Sequence, residues 1–122
     1  MKIGFGMIRK LLLITIASIC GHAQTLLANE AHEQLIASSE EVRRAAFRLI
    51  VAGAGETCRT VTRTYFQGET ATGGAVWNVD CGIDNAYRIE IAPADGSTKL
   101  IDCRLIQPLQ ATECFKPLPG RE

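Results

Sequence analysis

The sequence predicts an α+β domain in which one helix packs on a four-stranded antiparallel meander stapled by disulfides. Three observations lead there. The apolar period changes from helical to alternating near Cys58, short turn-forming segments separate the alternating runs, and an even set of cysteines is spread through them. The meander is antiparallel because the later connections are short, whereas parallel crossovers need about a dozen residues or more.

The chain begins with Lys2, Arg9 and Lys10, then the uncharged apolar run Leu11 to Cys20, then Gly21-His22-Ala23. Basic start, apolar centre and small-residue site in that order are the pattern of a secretory signal peptide, so residues 1–23 are expected to be removed after Ala23, with Ala28 as the second choice. The run is shorter than the roughly 20 residues a membrane-spanning helix needs, and no permanent membrane anchor is expected. Cys20 follows Ile19, whereas an acylated cysteine follows a small residue, so Cys20 is assigned to the discarded peptide. Without residues 1–23, a chain with thirteen basic and thirteen acidic residues loses three of the former and carries a formal charge of about −3. That sign, and the lack of a basic stripe, argue against nucleic acid as a partner.

Residues 24–37 form an N-terminal segment of helical composition, and 38–122 a single α+β domain with an irregular C-terminal tail. The helix starts at Ser38-Ser39-Glu40-Glu41, which fits a capping box with Ser38 as cap and Glu41 reaching back. Val42, Ala45, Ala46, Leu49 and Ile50 follow at helical spacing as the expected buried stripe, and Gly53-Ala54-Gly55 ends the helix. Arg43, Arg44 and Arg48 share it with Glu40 and Glu41, and Glu40 stands four residues before Arg44, so a solvated charged face is expected.

A first strand is expected from Arg59 to Phe66, where Thr, Val, Tyr and Phe dominate, followed by a polar loop from Gln67 to Gly74. A second, Ala75 to Cys81, sets Ala75, Trp77, Val79 and Cys81 on one face and Asn78 and Asp80 outward on the other. The third alternates Tyr87, Ile89 and Ile91 with Arg88 and Glu90, after a turn at Gly82 to Asn85. Pro93-Ala94-Asp95-Gly96-Ser97 is turn chemistry, and a fourth strand runs from Thr98 to about Leu105.

Cys58, Cys81, Cys103 and Cys114 read as a disulfide framework, since no close pair of the kind zinc sites use occurs among them. Of three pairings, Cys58 with Cys81 and Cys103 with Cys114 are preferred: positions 58 and 81 lie symmetrically about the glycine-bearing loop. Joining Cys81 to Cys103 would span strands roughly 10 Å apart, beyond the reach of about 7 Å of a disulfide. A directly opposed Cys58 and Cys81 would put Thr60 and Thr62 on the Trp77 face, so a bulge, or a Cys58 lying just before the strand, is needed.

Parts for catalysis are scarce. His32 is the sole histidine left after residues 1–23, and it is read as an incidental exposed residue of the N-terminal segment. Asp80, Asp84, Asp95 and Asp102 read as turn and outward strand positions, and neither a phosphate loop nor a redox or haem motif occurs. No catalytic residue, cofactor or metal is therefore assigned. Trp77, Tyr65 and Tyr87 are the candidate binding surface, with a place in the core as the favoured reading.

Cys58 with Val61-Thr62, the glycine-bearing loop, Val76-Trp77-Asn78-Val79-Asp80-Cys81, Tyr87-Arg88-Ile89 and Cys103 together resemble small exported proteins of Proteobacteria to which no activity is assigned, over roughly Val42 to Cys114. The resemblance implies a bacterial periplasmic location and brings no catalytic residues. The function expected is a non-enzymatic interaction domain, periplasmic or secreted, for an extracytoplasmic protein or small ligand. The alternative is an inhibitor of an extracytoplasmic hydrolase, inserting the Gln67 to Gly74 loop or the Cys103 to Cys114 loop. A sheet edge that recruits another chain by strand addition is a further open route.

Overall fold

The computed structural model describes residues 29–106 and 112–119. The expected signal peptide, its cleavage positions, Cys20 and His22 lie outside the described residues, as does Pro108.

Helices α1 (Glu30–Ala37) and α2 (Glu40–Gly53) precede β1 (Arg63–Glu69), β2 (Ala75–Asp80), β3 (Ala86–Ile91) and β4 (Thr98–Asp102). The strands form one antiparallel sheet in the order β1-β2-β3-β4, so the chain is an α+β meander, with a second helix drawn from the N-terminal segment. Helix α1 is capped by Asn29, whose Oδ1 accepts from the His32 amide at 3.2 Å while its Nδ2 donates to the Ile91 carbonyl at 2.7 Å. One short side chain thus closes the helix end and ties it to β3.

The start of α2 differs from the capping-box expectation by one residue. Ser39 is the cap, accepting from the Val42 amide at 3.2 Å, while Ser38 belongs to the end of α1 and donates its Oγ proton to the Gln34 carbonyl at 2.6 Å. Both serines are extended, because the chain must turn between two helices before the second can begin. The helix stops at the expected glycines: Gly55 sits at φ +83°, with its amide on the Ala52 carbonyl and the Glu56 amide on the Val51 carbonyl, a Schellman closure.

The buried stripe of α2 is also displaced. Phe47 and Val51 are fully buried and Ala46 and Ile50 partly so, but Val42 is 54% and Leu49 74% exposed. Two polar anchors set this rotation. Arg43 Nη1 donates to the carbonyls of Leu35, Ile36 and Ser38 at 3.1, 3.3 and 2.7 Å, closing the C-terminal end of α1. Glu40 accepts from the amide and hydroxyl of Thr64 in β1 at 3.0 and 2.6 Å. Neither side chain belongs to a freely solvated face, although Arg44 does pair with Glu40 at 3.2 Å.

Strand β1 begins at Arg63 rather than Arg59. Cys58 lies before the strand, bonded to Cys81 with Cα atoms 5.3 Å apart, and the chain between them folds Val61 into the core before Thr62 donates to the Asp80 carbonyl at 2.8 Å. Phe66 faces Trp77, and a bulge at Gln67 resets the register so that Gly68 faces Val76. Gln67 is therefore a buried strand residue, and the expected loop contracts to a turn at 70–74, closed by the Thr70 amide on the Gly74 carbonyl at 2.7 Å. Strand β4 ends at Asp102, short of Leu105, because its carboxylate accepts from the Arg104 amide at 2.8 Å and starts a single 3-10 turn, Cys103–Leu105.

The sheet has two unlike faces. Beneath the helices lie Ala75, Trp77, Val79, Tyr87, Ile89 and Ile91, all buried. On the other face the alternation directs Asn78 into solvent, yet it is fully buried. The C-terminal segment 112–119 covers it: the Phe115 amide donates to Asn78 Oδ1 at 2.7 Å, and Asn78 Nδ2 donates to Gln67 Oε1 at 2.9 Å. Gln67 Nε2 continues to the carbonyls of Glu113 and Lys116 at 2.7 and 3.0 Å, and the Leu118 amide reaches the Gln67 carbonyl at 3.0 Å. The bond between Cys103 and Cys114, Cα atoms 5.9 Å apart, fastens this cover. Asp80 ends β2 by accepting from the Gly82 amide at 3.0 Å.

Candidate functional site

The side chains with chemical capacity come first, since their engagements decide what remains for function. His32 is 2% exposed, contrary to its reading as a surface residue. Its Nδ1 accepts from Trp77 Nε1 at 3.0 Å, and its ring lies 4.5 Å from that of Phe66. An indole N–H can only donate, so His32 is held neutral with its proton on Nε2. Burial lowers its pKa from the ordinary 6.5, against the opposing pull of Glu33 and Glu69. A base locked to a core tryptophan orients a helix; it has no open side from which to take a substrate proton.

The carboxylates are similarly engaged. Burial raises the pKa of Glu40, but the hydrogen bonds from Thr64, Arg43 and Arg44 outweigh it and hold the carboxyl below its ordinary value. The Arg104 guanidinium and amide lower Asp102, and Ser97 lowers Asp95 in its turn. Asp84 occupies a left-handed turn position at φ +54°. These acids stand apart, at a helix start, in turns and at a strand end, and among the described residues no cluster of His, Cys, Asp or Glu could hold a metal ion.

The candidate aromatic surface divides between the faces. Trp77 and Tyr87 are 4% and 5% exposed in the core beneath the helices, while Tyr65 lies on the opposite face, its ring 6.2 Å from Phe115. Phe115 in turn lies 4.1 Å beneath the Arg63 guanidinium. Burial raises the pKa of Tyr87, helped by the neighbouring Glu56 carboxylate, which accepts a hydrogen bond from it. No open aromatic platform results from the three.

What remains open is the outer edge of α2. Val42, Ala45, Leu49 and Ala52 form an exposed apolar ridge, with Glu41, Arg44 and Arg48 along one side. Clefts flank the ridge. One, about 700 Å³, is lined by Ala45, Arg48, Leu49, Ala52 and Arg59, and the other, about 300 Å³, by Leu35, Val42, Ala46, Ile50, Ile91 and Thr98. The second reaches the start of β4, the outer strand of the sheet on that side. Among the described residues, Glu41 and Arg48 have no side-chain partner within the chain. The sequence pattern assigns Val42, Ala45 and Leu49 of this ridge to the core; the signal that separates the two stripes is Phe47, the largest apolar residue of the helix and absent from the expected face.

No protein-family model matches the chain, and no curated protein or solved structure is significantly similar to it. The two disulfides fit an oxidising, extracytoplasmic compartment, and among the described residues no helix is long and apolar enough to cross a membrane.

Proposed function

We propose that the chain is a small exported, periplasmic interaction domain that binds a partner protein through the outer face of α2 and performs no reaction of its own. One observation carries this reading: the apolar ridge of α2, with Leu49 74% exposed, stands between two clefts on a domain whose core is already complete without it. Surface apolar residues gathered into a ridge and rimmed by charge mark contact sites more often than single scattered ones do. The engagement of His32, Glu40 and Asp102 in structural hydrogen bonds supports the same reading. For the inhibitor alternative the first candidate element shortens to the turn 70–74, since Gln67 is buried.

The test is site-specific photo-crosslinking in a Gram-negative host, with the chain carrying its own N-terminal residues. A crosslinker at Leu49 is expected to give protein adducts in the periplasmic fraction, and one at Ile83, 96% exposed on the β2–β3 turn, is expected to give none. Intact mass of the same fraction should show a start at Gln24 and two disulfides. Equal adduct patterns from both positions, or a substrate turnover abolished by one polar substitution, would overturn the reading.

A further inference from the structure

We infer that the back face of the sheet is a preformed site for a peptide segment of a partner protein with Phe and Leu three residues apart, which the chain's own residues 112–119 fill as an intramolecular ligand. The site lies across the sheet from α2 and does not depend on the interaction reading above.

Strands β1 and β2 assemble it. The bulge after Phe66 sets Gln67 and Gly68 side by side on the back face, where unbroken alternation would turn Gly68 toward the helices. Asn78 Nδ2 donates to Gln67 Oε1 at 2.9 Å, so the two buried carboxamides brace each other. One acceptor, Asn78 Oδ1, and one donor, Gln67 Nε2, are left aimed at the segment.

What this pair reads is main chain. Its partners are the Phe115 amide and the carbonyls of Glu113 and Lys116, and the Gln67 carbonyl adds the Leu118 amide. Such groups are common to every sequence, so selection falls to the side chains that enter the face. The Phe115 ring is met by the Arg63 guanidinium at 4.1 Å and by the Tyr65 ring at 6.2 Å. Leu118 fills a notch over Gly68, where a Cβ would stand 3.4 Å from the leucine side chain. Lys116 and Pro117 between them are exposed, which leaves Phe-x-x-Leu as the pattern recognised.

Residues 112–119 behave as a ligand of this face in two respects. Phe115 sits at φ +64°, a left-handed conformation that an aromatic residue adopts only where its surroundings impose it, so the site dictates the shape of its occupant. Among the described residues, the core beneath the helices is complete without any member of the segment. The covalent hold, Cys103 to Cys114, involves none of the reading groups and favours this occupant by raising its local concentration. A partner segment with the same two side chains competes for the same groups once that hold is lifted.

The test uses the full chain with Cys114→Ser, Phe115→Ala and Leu118→Ala, which lifts the tether and withdraws both side chains but keeps Asn78, Gln67 and the Cys103 thiol. The probe is a synthetic peptide of residues 112–119 whose cysteine carries thionitrobenzoate in a mixed disulfide. A peptide seated as the segment is seated puts that sulfur beside Cys103, since the two Cα atoms lie 5.9 Å apart in the native bond. The Cys103 thiolate then attacks the peptide sulfur, a new disulfide forms and thionitrobenzoate leaves as the thiolate, read by absorbance and located by mass. Labelling of Cys103 should be about tenfold slower with Phe115→Ala or Leu118→Ala in the peptide. Pro119→Ala in the peptide, outside the pattern and exposed, should leave the rate unchanged. Asn78→Ala in the opened chain should remove the preference, while the amides of Val79 and Ile89 keep their exchange protection. Equal rates with and without the two side chains overturn the inference, as does a preference that survives Asn78→Ala. An opened chain whose sheet loses protection overturns it too, because a site that exchanges its occupant must stand when empty.

Discussion

The two faces of the sheet are covered by different means. Over one lie α1 and α2, which bury Phe47, Val51 and Leu35 against Trp77, Ile89 and Ile91, a contact of apolar surfaces with the Trp77-to-His32 hydrogen bond inside it and the Asn29 and Glu40 bonds to the sheet at its margins. Over the other lies an irregular segment held by the amides of Asn78 and Gln67 and tethered by Cys103 and Cys114. An apolar layer gains stability from area and tolerates rotation of the helix that supplies it. A polar cover fails unless each bond is made, and here the Cys103–Cys114 bond tethers it. The difference predicts that the helical face sets the global stability of the domain and that the back face opens locally.

The largest effect is therefore expected on the helical side. Phe47 is completely buried with its ring 5.5 Å from that of Trp77, and Phe47→Ala removes it from the middle of the contact. The transfer and cavity terms together amount to about 3–5 kcal/mol. Urea unfolding should show one cooperative transition moved to lower concentration. A shift below about 1 kcal/mol would mean that α2 is not the principal cover of this face.

Second in size is the tether. Closing a loop with a sequence separation of 11 restricts the unfolded chain by about 3 kcal/mol in the entropy model. Replacing Cys103 and Cys114 together by Ala should release the C-terminal segment while the helices and sheet persist. The readout is amide hydrogen exchange: Phe115 and Leu118 are expected to lose protection, and Val79 and Ile89 in the sheet to keep it. Loss of protection across the whole sheet would show that the two faces fail together.

Asn78→Ala comes third, at about 1–3 kcal/mol, because it leaves the Phe115 amide and the Gln67 carboxamide oxygen in a buried site without their partner. The loss should appear as in the tether variant, first at residues 112–119. Combining Asn78→Ala with the loss of the tether should cost less than the separate effects added together, since both act on one opened state.

The unequal legibility of the two faces has the same origin. Ala75, Trp77 and Val79, with Tyr87, Ile89 and Ile91, alternate at the period of a strand, and that local signal is sufficient to place them on one face. Asn78 obeys the alternation too, but whether its side meets water depends on a segment 37 residues away with no periodicity of its own. Helix α2 is ambiguous in another way. It has two apolar stripes at helical spacing, and the choice between them is made by Glu40 reaching Thr64 and Arg43 reaching the end of α1, contacts that no window within the helix contains. The candidate site is the stripe left over. His32 escapes a sequence reading because one polar residue among Glu30, Glu33 and Gln34 gives no sign of pointing inward, and its partner Trp77 is 45 residues distant.

That histidine gives the smallest effect and the sharpest contrast, because it makes the helical face sensitive to pH while the amides of the back face do not titrate. The groups around it are Glu33 on α1 and Glu69 on β1, whose charges favour protonation, with Arg43 of α2 over the Trp77 ring at 5.9 Å. Burial outweighs the two carboxylates and lowers the folded-state pKa below 6.5. As pH falls through 6.5 the unfolded chain therefore takes up a proton that the folded chain refuses, and stability declines until the pH passes the lowered folded value; above 6.5 the residue contributes no slope. Protonation also puts a second donor where Trp77 Nε1 already donates, so α1 should loosen before the sheet does. Urea midpoints at about pH 7.5 and about pH 5.5, one unit either side of the ordinary value, followed by Trp77 fluorescence, should differ for wild type. They should coincide for His32→Gln, whose carboxamide oxygen can still accept from the indole. Equal shifts in the two proteins would assign the pH dependence to the carboxylates instead and leave the faces alike in this respect.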